Sequence, residues 1–283
     1  MNKSSEPQDD GLSLRRVRIL PGKGISRGSL KRKMPAAQLK KGIYLIPSLF
    51  TTGNLFCGFF SMIAAIEGQF LQAAILIILA HLLDGLDGAI ARVTKTTSQF
   101  GVEFDSLADL ISFGVAPAVL AYFWALSPLG IWGWLAASLY VICGALRLAR
   151  FNVQVSTVEK THFIGLPIPA AAEMIVATVL MYQFLGGVTA FHKPIILLLV
   201  VYGLAGLMVS NFRYLSLRQL DLKRRHPFWL LLSVILLITL IIAEPQIMLF
   251  SVFLLYTLSG PILGLYSMFN RGREKRGETS ESL

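Results

Sequence analysis

The chain has 283 residues, of which 54% are hydrophobic and only 15% charged, with a mean hydropathy of +0.64. Soluble domains carry roughly 25% charge, so an ordinary water-soluble fold is excluded and the bilayer is the expected solvent. A formal net charge of +10 would suggest a nucleic-acid partner in a soluble protein; here the basic residues fall where membrane topology places them, and no nucleic-acid partner is expected.

The first 41 residues carry eleven Lys/Arg, among them Arg15, Arg16, Arg18, Lys31, Arg32 and Lys33, against three acids, with Gly, Ser and Pro between them. They read as a basic, disordered cytoplasmic tail, suited to topogenesis or to contact with anionic membrane lipid. No apolar stretch with a small-residue cleavage site follows, so the tail does not read as a secretory signal.

A membrane span needs about 20 mostly apolar residues. Eight such stretches follow the tail, near 43–66, 70–92, 104–127, 131–150, 167–186, 194–215, 227–243 and 246–268. They predict an all-α, polytopic membrane helical bundle of about eight transmembrane helices, with a membrane domain over 42–270 and a polar C-terminal tail over 271–283. Counting connections alternately, one side receives the N-terminal tail, Arg92 and Lys95, Arg147 to Lys160, Arg213 to Arg225 and the tail from Arg271, whereas Lys193 is the only Lys or Arg on the other. The excess of Lys and Arg marks the cytoplasmic side, which places both termini in the cytoplasm. Cys57 and Cys143 fall inside predicted spans and read as small apolar residues.

Ionisable residues inside such spans point to function. Asp84 and Asp87 end the second span in HLLDGLDGAIAR, and Asp105 and Asp109 open the third in GVEFDSLADL. Spacings of three and four put each pair on one helix face. The short connection makes the two helices antiparallel neighbours, so four carboxylates are expected to converge near the cytoplasmic surface. Bare carboxylates in low dielectric would repel one another and take up protons unless cations neutralise them. Hard oxygen ligands suit Mg²⁺ or Mn²⁺, and two such ions can clamp a phosphate diester or anhydride. Gly88 and Ala91 leave the face of Asp84 and Asp87 without bulk, Arg92 stands a turn further on to meet a phosphate, and Gly101 begins the next helix without a side chain.

The run Asp84-x2-Asp87-Gly88-x2-Ala91-Arg92-x8-Gly101-x3-Asp105-x3-Asp109 resembles the full signature of the CDP-alcohol phosphotransferase family. The resemblance implies a helical membrane enzyme, usually a homodimer, that holds a CDP-linked donor and two divalent ions in a cytoplasm-facing polar site. It implies Asp84, Asp87 and Asp105 as metal ligands and Asp109 as both ligand and general base. Gly88, Ala91, Arg92 and Gly101 become the cytidine-diphosphate cradle.

Other segments bear on the acceptor. IPSLFTTGNLFCGF, GALRLARFNV, FIGLPIPAAA and VSNFRYLSLR resemble the membrane-integral phosphatidylserine synthases of bacteria and archaea over residues 42 to about 225. One position departs: Ser48 stands where that group usually has Asn, leaving Thr51 and Asn54 as candidate nucleotide contacts. The resemblance implies transfer of a phosphatidyl group from CDP-diacylglycerol to L-serine at the inner membrane, with release of CMP. Serine needs a cation for its carboxylate, and Arg147 and Arg150 suit that role, with Asn152 bonding serine or orienting an arginine. Glu173, an acid within the fifth span, is expected either to bond another helix or to meet the serine ammonium, and His81 to be packed or hydrogen-bonded. A glycerol-phosphate or inositol-phosphate acceptor is the alternative within the family; a cation transporter using the four acids is the alternative outside it.

Overall fold

The computed structural model describes residues 36–94, 98–155, 163–186, 193–214, 239 and 243–281. Among these, seven helices and one two-residue strand pair form the fold: α1 (Ala36–Ile66), α2 (Phe70–Thr94), α3 (Gln99–Leu129), α4 (Ile131–Val155), β1 (Phe163–Ile164), α5 (Ile168–Phe184), α6 (Lys193–Val209), β2 (Arg213–Tyr214) and α7 (Pro245–Glu281). Five helices are long and apolar enough to cross a membrane, and α5 and α6 are shorter apolar helices. The predicted helical membrane bundle is therefore what the chain forms. All but residues 239 and 243 of the predicted span near 227–243, and most of the basic tail, lie outside the described residues. Two ends differ from expectation: α1 begins at Ala36, inside the segment assigned to the tail, and α7 runs on to Glu281 through the segment assigned to a polar C-terminal tail. Its last turns are rich in Arg, Lys and Glu, good helix formers that extend a span beyond its apolar part.

α1 and α2 form an antiparallel hairpin that turns at Gly68, whose φ of 79° lies in the left-handed region where a side chain is disfavoured. Ala64, Ala65, Ala73 and Ala74 are buried in this seam, and Ser61 donates a 2.9 Å hydrogen bond to the Ala73 carbonyl. Small residues permit such close approach in membranes, where lipid gives no hydrophobic drive for helices to associate. α5 is the central helix: Ala170 to Ala177 is buried without a break. Apart from Glu173, its stretch of apolar residues on every face fits a helix surrounded by others.

α3 is not uniform. It changes to π-helical hydrogen bonding over Leu110–Val115, directly after Asp109, and again over Tyr122–Leu126. Pro117 explains part of this, since it has no N–H to give the carbonyl of Phe113. The Tyr140 hydroxyl of α4 donates to that carbonyl at 3.2 Å. The same device recurs in α7, where Pro261 frees the carbonyl of Thr257 and the Tyr214 hydroxyl donates to it at 3.1 Å. A side chain at Gly260 would collide with the Tyr214 ring, so glycine there lets β2 lie against α7. β1 and β2 pair antiparallel, Phe163 with Tyr214 and Ile164 with Arg213, and this clasp ties the start of α5 to the end of α6.

Candidate active site

Three helices supply the acids and what holds them. From α2 and α3, one carboxylate oxygen each of Asp84, Asp105 and Asp109 lies within 4.8 Å of the others. Asp87 is outside that set: its Oδ2 accepts a 2.8 Å hydrogen bond from Thr51 Oγ1 of α1. Asn54, one turn further along α1, donates from Nδ2 to Asp109 Oδ1 at 3.4 Å. Asn54 reaches the acid because α1 and α3 nearly touch. A Cβ on Gly58 would lie 2.8 Å from the Ser112 Cα, and Ser112 Oγ donates to the Asn54 carbonyl at 3.0 Å. Thr51 and Asn54, expected as nucleotide contacts, are here the partners of Asp87 and Asp109.

The residues between the acids are equally specific. The guanidinium of Arg92 folds back over Gly88, its Nη1 3.4 Å from where a Cβ would be, close to ordinary van der Waals contact. Ser98 caps α3 by accepting from the Gly101 N–H at 3.0 Å. Ala91 stands between them on the last turns of α2.

The acids form no ion pair with a described cation. Among the described residues the only ion pair joins His81 and Glu173, and Asp105 Oδ1 and Asn54 Oδ1 are buried with no hydrogen-bond partner. Buried polar atoms are nearly always satisfied, so orphaned oxygens beside three like charges fit a site whose missing member is a cation. Oxygen-only donors of this kind suit a hard divalent ion.

The arginines divide. Arg147 is 8% exposed, stacks over the Phe151 ring at 5.3 Å, and lies within electrostatic reach of Asp109 and of Tyr256 on α7. Arg150 is exposed and turned to the end of α6, donating to Asn211 Oδ1 at 2.8 Å and to the Val209 carbonyl at 3.4 Å. Asn152 donates to Ser106 Oγ at 3.0 Å, tying α4 to α3 beside Asp105. Tyr256 lies outside every segment that pointed to the site in sequence, and no local signal announces it.

The profile of the CDP-alcohol phosphatidyltransferase family matches residues 44–205. The chain belongs to this family. A Helicobacter pylori protein named CDP-diacylglycerol–serine O-phosphatidyltransferase is 42% identical over 239 residues, 82% of this chain and 97% of its own length. A Bacillus subtilis protein of the same name is 38% identical over 169 residues, covering 60% of this chain and 89% of that one. An archaetidylserine synthase of Methanothermobacter thermautotrophicus is 39% identical over 171 residues, 60% of this chain and 69% of its own. Membership in the CDP-alcohol phosphatidyltransferase family leaves no support for the transporter alternative. The family match ends before β2 and α7, so Tyr214 and Tyr256 lie beyond it.

Proposed function

We propose that this protein transfers a phosphatidyl group from CDP-diacylglycerol to L-serine, giving phosphatidylserine and CMP, at the cytoplasmic face of the inner membrane. The observation that carries the reading is the set of three converging carboxylates that form no ion pair among the described residues, in a chain of this family whose relatives include named serine O-phosphatidyltransferases. Asp84, Asp105 and Asp109 would hold Mg²⁺ or Mn²⁺, with Asp87 completing the set for a second ion. When bound, the ions supply neutralising charge to the pyrophosphate oxygens of the donor.

The remaining roles belong to the chain itself. Asp109, oriented by Asn54, accepts the proton of the serine hydroxyl. The hydroxyl oxygen then forms its bond to the lipid-side phosphorus while the phosphorus–oxygen bond to CMP breaks and CMP leaves with the electron pair. Arg92, lying over Gly88, meets the donor phosphates, and Ala91 and Gly101 leave room for the nucleotide. Arg147, buried and without an ion pair among the described residues, receives the serine carboxylate. Arg150 and Asn152, bonded to Asn211 and Ser106, brace the end of α4 around it.

Purified protein given CDP-diacylglycerol, Mn²⁺ and radiolabelled serine should form labelled lipid and release CMP in equal amount. CMP release with glycerol phosphate or inositol phosphate but not with serine would replace the acceptor while leaving the phosphatidyl transfer intact.

A further inference from the structure

We infer that the intramembrane pair of His81 and Glu173 is a positioning device that holds the acid-bearing end of α2 in register for metal capture. The inference rests on the metal reading above. His81 Nδ1 and Glu173 Oε1 are 2.9 Å apart, joining α2 to the central helix α5. Glu173 is 2% exposed, and its other oxygen, Oε2, has no hydrogen-bond partner. All the hydrogen bonding of a deeply buried carboxylate therefore falls to one imidazole. Such an acid is costly inside a membrane, and an apolar pair would pack two helices at lower cost.

The placement explains what that cost achieves. α2 is anchored along its first half by Ala73, Ala74, Ile77 and Ala80; beyond Ala80 its only buried residue is Asp87, and Leu82, Leu86 and Val93 are exposed. Two polar ties hold that loosely packed end: Asp87 to Thr51 on α1, and His81 to Glu173 on α5. His81 precedes Asp84 by one helical turn. Its ring also meets Phe113 edge-on, centroids 5.6 Å apart, and Phe113 follows Asp109 by one turn on α3. A single imidazole thus fixes Asp84's helix against α5 and against the helix carrying Asp105 and Asp109. With no ion bound, the three carboxylates, with oxygens within 4.8 Å of one another, repel to the extent that they are ionised and push these helices apart. The tie opposes that splaying and leaves the site set for the cation.

The test is Mn²⁺ binding by purified protein, read from the free-ion electron paramagnetic resonance signal, alongside thermal unfolding. His81→Ala and Glu173→Ala should each weaken Mn²⁺ binding by roughly tenfold, the scale seen when residues supporting metal ligands are lost. Glu173→Gln, whose amide oxygen still accepts from the imidazole N–H, should stay within about threefold of wild type on the same scale. The double alanine variant should bind no more weakly than either single one, because both remove the same tie. Variants that melt earlier yet bind Mn²⁺ like wild type would overturn the inference and reduce the pair to packing. Equal weakening by Glu173→Gln and Glu173→Ala would also overturn it, and that comparison stands even if His81→Ala fails to fold. If wild type itself binds no Mn²⁺, the metal reading fails and the inference with it; intact wild-type binding with unaltered variants sinks the tie alone.

Discussion

Asp105 and Asp109 on α3, and Arg147 and Arg150 on α4, are like-charged pairs spaced about one helical turn apart, and the fold treats them differently. The two acids stay together, joined by Asp84, and form no ion pair with a cation among the described residues. The arginines part: Arg147 is buried towards Asp109, while Arg150 turns outward to Asn211 and Val209. The neighbours make the difference. Around the acids, α1 offers only Thr51 and Asn54, enough to orient carboxylates but not to neutralise them. At Arg150 the end of α6 offers a carbonyl and an amide oxygen, which take two of the five guanidinium donors and hold it against α6.

The largest effect should come from the acids. Asp84→Asn or Asp105→Asn should abolish CMP release while the protein still inserts and purifies, since each removes charge from the cluster and little packing. Activity above a few per cent of wild type in both would break the contrast with the arginines at once. Asp109→Asn should separate binding from chemistry: Mn²⁺ and CDP should still bind in calorimetric titration while kcat falls by about two to four decades. Loss of binding and turnover together would make Asp109 a ligand first.

The arginines sharpen the comparison at smaller magnitude. Arg147→Ala should raise the KM for serine about 10- to 100-fold, the scale of a lost hydrogen bond to a charged group, with the KM for CDP-diacylglycerol nearly unchanged. Arg150→Ala should leave both KM values within a few-fold and lower the melting temperature instead. The reverse result would return Arg150 to the acceptor site. The smallest effect belongs to the clasp outside both groups. Tyr214→Phe loses one hydrogen bond to the Thr257 carbonyl, worth about 0.6 kcal/mol in a membrane bundle, and should reduce stability in detergent slightly without changing either KM.

Much of the architecture was legible before any coordinates. Apolar length located every described span to within a few residues except at the ends of α1, α3, α4, α6 and α7, because a bilayer imposes a minimum run of apolar residues whatever surrounds it. The acid signature placed Asp84, Asp105 and Asp109 on facing helices, since the three- and four-residue spacings and the short α2–α3 connection are local facts. Pro117 and Pro261 each free a carbonyl four residues earlier in the helix, but nothing nearby in the sequence names Tyr140 or Tyr214 as its partner.

What the sequence by itself determined was thus the solvent, the helices and the acids that converge at the candidate site. Only the tertiary structure decided that Thr51 takes Asp87 out of the tight cluster, that Glu173 meets His81 across 92 residues of chain, that Arg150 turns away while Arg147 stays, and that Tyr256 approaches from α7. The physical reason is common to all four. Hydrophobic periodicity tells which face of a helix is buried, whereas the partner of a polar group depends on which helices become neighbours and at what height, and that is settled only when the whole bundle packs.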